Sequence, residues 1–377
     1  MNTICIDQGA SSTRFVVNDD DVNIYPNNAV FIDESVETYI VPSSDNIVDN
    51  LDLTIHKTEG ESSYFPVRAL LGDMAMRYKS VNIRPSMNSN KGRQKVNYVS
   101  IITAVATSYL EEKLSGDVTL IIDFPPVEVN NATLEYVKKQ LIGTYEVTFN
   151  TVNVNKTVTF RVQDVRVASE GATASAAFFF KPDATPRAEF AKYNKGYVLI
   201  MDIGDSTTDL ALIHDRADVN IARQTYKVGG RVIKGMVRDA IRVKYGSEIT
   251  EDSVNEIITS GRMPYGNDYK DVTAELEEAK RSFVDLIYDK MDDYFRRVGV
   301  DLTDIKGIFT CGGGAMQSVY FDEEKNEAVV VSESVAKYLA EKLKDICDGV
   351  DVVEYPGDNP RLANIIGTVI ITKGLRK

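Results

Sequence analysis

Asp7, Gly9 and the hydroxyl run Ser11-Ser12-Thr13 form a group that returns 195 positions later as Asp202, Gly204 and Ser206-Thr207-Thr208. In full, Ile6-Asp7-Gln8-Gly9-Ala10-Ser11-Ser12-Thr13-Arg14 is matched by Met201-Asp202-Ile203-Gly204-Asp205-Ser206-Thr207-Thr208-Asp209. Each copy ends one apolar strand and opens another, Phe15-Val16-Val17 in the first and Leu210-Ala211-Leu212 in the second. Glycine lets the backbone come close to phosphate oxygens. Successive N–H groups in a turn make an anion-binding concavity, and an aspartate can hold a hydrated Mg²⁺. One Asp-x-Gly turn could be an ordinary hairpin. Two in matching strand contexts point to a phosphate ligand gripped twice.

The elements around these turns alternate between strand and helix. Residues 3–17 read as a hairpin, and 20–97 as a polar, irregular insertion with strand-like pieces at 36–42 and 51–56 and a helical stretch near 67–78. Residues 86–95 read as a loop. A helix over 98–114 precedes a buried strand at 118–124, which Pro125-Pro126 stops. A helix at 134–142 and strands over 145–167 follow, then the small apolar helix 170–180 and a loop at 181–195. The second hairpin opens another round: helices at 232–245 and 272–298, a strand at 305–310 ending in Gly312-Gly313-Gly314, a helix at 335–347, a strand at 351–355 and a closing helix at 360–372. Helical spacing of Leu276, Phe283, Leu286, Ile287, Met291, Tyr294 and Phe295 marks a core-facing stripe. This alternation predicts α/β layers.

Composition narrows the function classes. The 377 residues suffice for two or more domains with proper cores. A net charge of −13 repels a nucleic-acid backbone, so extended direct DNA binding is not expected, and any self-association should depend on salt. Three dispersed cysteines and two histidines argue against a disulfide framework, a zinc site or a histidine-rich metal centre. With no leader-like opening and no apolar run near ~18 residues, a cytoplasmic protein without a membrane anchor is expected.

Taken with its downstream motifs, the chain resembles the actin-like ATPases, the group that also contains sugar kinases and the major heat-shock chaperones. Residues 7–14 look like the first phosphate loop, with Arg14 where actins place a phosphate-reaching lysine. Ser169-Glu170-Gly171-Ala172-Thr173-Ala174 resembles the first connecting helix, and residues 202–209 the second phosphate loop. Gly229-Gly230-Arg231 resembles the helix start beside the ribose, Cys311-Gly312-Gly313-Gly314-Ala315-Met316 the adenosine motif, and residues 359–367 the second connecting helix. On residue types alone, Glu170 could cap its helix, Asp209 could stabilise its hairpin, and the glycine pairs could be plain turns. Within the group, filament-forming plasmid-segregation actins of the ParM type look most similar. Asp205 departs from them, standing where those proteins commonly have glycine and resembling eukaryotic actin instead.

The resemblance implies duplicated actin-like (ribonuclease H-like) domains flanking a nucleotide cleft, each with an inserted subdomain. The expected division is 1–167 with 357–377, insertion about 20–97, against 168–356, insertion about 225–300. It implies ATP or GTP with Mg²⁺, the metal held through water by Asp7 and Asp202. Gly9, Ala10, Ser11, Ser12, Thr13 and Arg14 would face the phosphates from one side, and Gly204, Asp205, Ser206 and Thr207 from the other. Gly230, Gly312, Gly313, Gly314 and Met316 would line the nucleoside. Glu170 would orient the attacking water, with Asp7 and Asp202 completing the catalytic set. The implied function is a head-to-tail filament, driven by nucleotide hydrolysis, that segregates plasmid or phage DNA through a separate DNA-binding adaptor. A non-polymerising small-molecule kinase and a structural cytoskeletal actin without DNA cargo stay open as alternatives.

Overall fold

The computed structural model describes residues 2–18, 20–33, 47–49, 51–78, 81, 83–85, 90–151, 154–266, 268–322, 326–347 and 349–375. The expected strand at 36–42 and the 86–89 part of the expected loop lie outside these residues. The chain divides into two compact units: residues 1–176 with 182–185 and 364–377, and residues 177–181 with 186–363.

The first unit is built on a nine-stranded sheet. The hairpin Asn2–Gln8 and Ser12–Val17 lies toward one side of it, followed by Val118–Phe124 and the central strand Lys156–Ser169, both running parallel to Asn2–Gln8. Asn2–Gln8 and Val118–Phe124 are buried along nearly their whole length, as strands covered on both faces must be, whereas Lys156–Ser169 alternates exposed and buried positions over much of its length. Helix Lys95–Leu110 is buried from Val96 to Ser108, so it lacks a polar face and serves as an internal layer.

The strands of the presumed insertion join this same sheet: Gly143–Phe149 pairs with Leu51–Glu59, which pairs with Val67–Leu71, which in turn pairs with Ala29–Ile32. The expected helix near 67–78 is therefore a strand over its first five residues. Val67–Leu71 is buried at every position between two neighbours, and only Gly72–Met76 turns helical. Sheet pairing overrides local propensity where both faces are covered. Here Arg68 and Asp52 form a buried pair at 2.9 Å, and Asn150 Nδ2 also donates to Asp52.

The second unit repeats the plan. Hairpin Tyr197–Ile203 and Thr208–His214 is antiparallel, and Tyr197–Ile203 runs parallel to Ile305–Cys311, which is followed by Asp351–Glu354. Helices Gly230–Tyr245 and Thr273–Val298 pack on this sheet, the second burying the Leu276, Phe283, Ile287, Met291, Tyr294 and Phe295 stripe. Leu286, placed in the stripe by spacing, is not among its buried residues. Helix Glu251–Ser260 and the hairpins Arg262–Tyr265/Asp268–Asp271 and Ser318–Asp322/Glu327–Ser332 were not legible as separate elements. Inside the expected loop 181–195, Ala188–Tyr193 forms a 3-10 turn. Its Phe190 and Tyr193 pack on Phe309 with centroids 5.3 and 4.9 Å away, and this aromatic cluster orders the segment.

Candidate functional site

Sheet register in the first unit places three charged residues in one row. Asp7 lies opposite Arg14 across the hairpin and opposite Asp123 on the parallel strand. The Arg14 guanidinium donates to the Asp7 carboxylate and, at 3.2 Å, to the Ser12 hydroxyl. Between the strands the turn closes through Gly9 N–H to the Ser12 carbonyl at 2.8 Å. Asn27 then takes two further turn carbonyls: its backbone N–H donates to Ser11 O at 3.1 Å and its side chain to Gly9 O at 2.9 Å. With those carbonyls turned inward, the turn can present N–H groups outward, as an anion site requires. Ser11 is exposed, Gly9, Ala10, Ser12 and Arg14 are half-buried, and Thr13 is buried.

Glu170 stands at the end of strand Lys156–Ser169, 8 % exposed. Its N–H donates to the Phe124 carbonyl at 2.9 Å. The next residue, Gly171, turns at φ +74° and donates its N–H to Asn364 Oδ1 at 2.9 Å. Asn364 also accepts from the Thr173 hydroxyl, so the C-terminal helix fixes the turn that carries Glu170. From the same helix Thr368 donates its hydroxyl to the Asp123 carboxylate. Burial and the neighbouring Asp7 carboxylate push the Asp123 carboxyl well above the usual range.

The second unit shows the matching row: Asp202 opposite Asp209 in the hairpin and opposite Cys311 in the parallel strand. The turn closes identically, Gly204 N–H to Thr207 O at 2.8 Å. Asp209 accepts from the Thr207 and Thr225 hydroxyls, which ties the hairpin to its neighbouring strand.

Two glycine motifs that are far apart in the sequence, Gly229-Gly230 and Gly312–Gly314, converge on this turn. Gly230 N–H donates to Gly204 O at 2.9 Å, Arg231 N–H to Asp205 O at 2.7 Å, and Gly314 N–H to Ile203 O at 2.7 Å. Their lack of side chains is required. A Cβ on Gly229 would lie 2.7 Å from both Gly204 O and Thr207 N, and one on Gly312 would lie 2.3 Å from Asp202 Oδ1. Gly313 backs onto Arg361, whose Nε would be 3.0 Å from an added Cβ. Asp205 receives Arg231 at 2.7 Å and Lys234 at 3.0 Å. Burial raises its carboxyl, but those two cations outweigh burial and hold it below the usual range.

A family model described as archaeal actin homologue MreB-like, C-terminal, matches residues 200–318. No curated protein matches the chain in sequence. Among solved structures, Ta0583, an archaeal actin homologue in complex with ADP, superposes with a TM-score of 0.67 at 13 % identity, covering 99 % of this chain and 100 % of that one. The 15-stranded ParM filament from Clostridium botulinum gives 0.63 at 20 % identity, covering 99 % of each chain. Bacillus thuringiensis ParM with AMPPNP gives 0.65 at 14 %, covering 100 % and 99 %. The fold is that of the actin homologues. The resemblance read from the phosphate loops and glycine motifs is thereby borne out.

Two positions after the glycine turn, Met316 is held by a buried lysine. Lys280 Nζ donates to Met316 O at 3.1 Å, Ser318 Oγ at 3.0 Å and Glu333 O at 2.9 Å. Burial pulls its pKa down to about 8, against Glu333 and Glu354, which raise it. Lys280→Met leaves three acceptors without that donor and should destabilise the second unit by about 1–3 kcal/mol. The pH dependence has a definite sign. Between about 8 and the ordinary lysine value of 10.5, the unfolded chain keeps a proton that the folded chain has released. Stability from this group is therefore full above the unfolded value and lost as pH falls through about 8. The margin of wild type over Lys280→Met should widen from pH 7.5 to pH 10 in thermal melts, and a constant margin would contradict the assignment.

Sequence reasoning missed Asn27, Lys91, Asp123, Lys234, Lys280 and Asn364. Asp123 alone left a signal, as an acid inside the apolar strand Val118–Phe124.

Proposed function

We propose that this chain is an actin-like nucleoside triphosphatase that binds Mg-ATP or Mg-GTP and assembles head-to-tail into filaments. The observation that carries the reading is the pair of identically closed Asp-x-Gly turns. Each sits at the end of a buried parallel strand, and one is cradled by Gly229-Gly230 and Gly312–Gly314. Nucleotide binding is supported further by the ADP and AMPPNP carried by two proteins of the same fold.

In this reading the first turn, residues 9–14, and the second, residues 204–207, face the β- and γ-phosphates with N–H groups, while Gly230, Gly312–Gly314 and Met316 lie along the nucleoside. Asp7 and Asp202, 2 % and 9 % exposed, are hard oxygen donors at strand ends. They suit a Mg²⁺ that keeps its waters. The metal would supply charge neutralisation at the phosphates. Glu170 orients the attacking water. In phosphoryl transfer, positioning and charge stabilisation carry most of the acceleration. The domain division at 167/168 and 356/357 and the two inserted subdomains belong to the same proposal.

Self-assembly is supported by the likeness to the ParM filament of Clostridium botulinum. Head-to-tail contacts between identical subunits generate open polymers. Loss of the γ-phosphate would weaken the contacts. The cargo we propose is plasmid or phage DNA, engaged through a separate DNA-binding adaptor, because a chain of net charge −13 holds DNA poorly. No helix among the described residues is long and apolar enough to cross a membrane, and we place the protein in the cytoplasm.

High-speed sedimentation tests the core of this. The protein should pellet with Mg-AMPPNP or fresh Mg-ATP and stay in the supernatant with Mg-ADP, with a marked dependence on salt. A chain that hydrolyses ATP only when a small-molecule acceptor is supplied, and never sediments, would instead be a kinase of the same fold.

A further inference from the structure

Lys91 is a buried cation placed in the first unit with unusual care. It opens the short 3-10 turn Lys91–Arg93 before helix Lys95–Leu110. The Glu128 carboxylate accepts from the backbone N–H of both Lys91 and Gly92, at 2.8 and 3.0 Å. Asn97 Nδ2 donates to the Lys91 carbonyl at 2.9 Å, and the Tyr98 hydroxyl donates to the Gly92 carbonyl at 2.7 Å. The backbone is thus held on both sides, and the side chain runs past the Phe124 ring, Nζ 5.7 Å from its centroid. At its end Nζ donates to the Glu170 carboxylate and, at 3.0 Å, to the Asp123 carbonyl.

Electrostatics favour a specific task for this ammonium. Asp7, Asp123 and Glu170 gather three carboxyl groups in one buried region, and Arg14 is already committed to Asp7. Burial alone would lower the Lys91 pKa, but Glu170 foremost, then Asp7 and Asp123, outweigh it and hold the amine above the usual lysine value. A buried pair of this kind contributes little net stability against an apolar replacement. What it does supply is a fixed orientation for the carboxylate.

We propose that Lys91 is a positioning residue that holds the Glu170 carboxylate aimed for nucleotide hydrolysis. The proposal rests on the reading of Glu170 as the water-orienting group. Without Lys91, Glu170 loses the ammonium that donates to its carboxylate, while Asp7 and Asp123 stay as acidic neighbours of the site. Lys91 acts through Glu170, so the two residues must behave as one unit in a double-mutant cycle.

The test is single-turnover hydrolysis of Mg-ATP and equilibrium binding of a fluorescent Mg-ATP analogue, on the full chain, for wild type, Lys91→Met, Lys91→Gln, Lys91→Arg, Glu170→Gln and Lys91→Met with Glu170→Gln. Rates are normalised to the folded fraction from thermal melts, so that the milder Lys91→Gln reports if Lys91→Met folds poorly. The expected result is a loss of tenfold or more in rate for the Met and Gln variants, little change in affinity, partial recovery in Lys91→Arg, and a double variant no slower than Glu170→Gln. Wild-type rates in Lys91→Met and Lys91→Gln, or losses that multiply in the double variant, would overturn the proposal. Failure of the wild type to bind or hydrolyse nucleotide, or a wild-type rate in Glu170→Gln, would instead sink the reading of the site on which the proposal stands.

Discussion

Replacing Glu170 with glutamine is expected to slow triphosphate hydrolysis by about 10²- to 10⁴-fold while leaving Mg-nucleotide affinity nearly intact. Glutamine keeps the size and one acceptor oxygen but has neither the charge nor the basicity to draw a proton from water. The backbone that presents the side chain does not depend on the carboxylate. Glu170 N–H is held by Phe124 O at 2.9 Å and Gly171 N–H by Asn364 at 2.9 Å. The variant should therefore separate the rate from binding, the signature of an interaction made in the transition state. Filaments that still assemble with ATP but no longer disassemble would accompany it. A rate within a factor of about three of wild type would remove Glu170 from the chemistry.

The second large effect is structural. Gly367, in the C-terminal helix Ala363–Leu375, crosses helix Ala172–Phe179 so closely that an added Cβ would lie 1.8 Å from the Thr173 carbonyl oxygen and 2.5 Å from its carbon. Both atoms are backbone, so no side chain can swing away. The helices must part, and the bonds from Asn364 to Gly171 and from Thr368 to Asp123 part with them. Gly367→Ala should cost about 4 kcal/mol or more, in the range reserved for disrupted cores and buried networks. For a unit of this size that is a drop in Tm of roughly 10–15 °C. Gly374 on the same helix provides the contrast, because an added Cβ there meets nothing within 4 Å. Gly374→Ala should be neutral or slightly stabilising, since alanine is the better helix former by about 1 kcal/mol. Equal melting temperatures for the two variants would show that the close crossing does not matter.

Both predictions depend on the C-terminal helix, whose importance is invisible in its own residues. Its sequence, Ala-Asn-Ile-Ile-Gly-Thr-Val-Ile-Ile, resembles a connecting helix over residues 363–367 but by residue type names none of its partners. Asn364 reaches Gly171 across 193 positions and Thr368 reaches Asp123 across 245. Lys91 reaches Glu170 across 79. Within a window of ten residues, none of these side chains differs from a solvated polar residue or a mid-helix asparagine. Segment 67–71 was misread for the same reason: helical spacing is a local property, whereas its burial between strands at 51–59 and 29–32 is not.

What the amino-acid sequence determined by itself is chemistry that is local. A turn that lets phosphate approach must carry glycine, and an acid and hydroxyls beside it are needed whatever surrounds them. The two Asp-x-Gly turns, Gly229-Gly230 and Gly312–Gly314, were therefore legible by residue type, and the repeated strand-turn-strand plan with its α/β alternation came with them. Only the tertiary structure decided how these pieces meet. Register aligned Asp7 with Arg14 and Asp123, and Asp202 with Asp209 and Cys311. Packing brought the separate glycine motifs onto one turn and gave Glu170 its lysine. Those outcomes depend on which distant segments share a sheet or cross as helices, because a buried charge takes its partner from whatever the fold brings beside it.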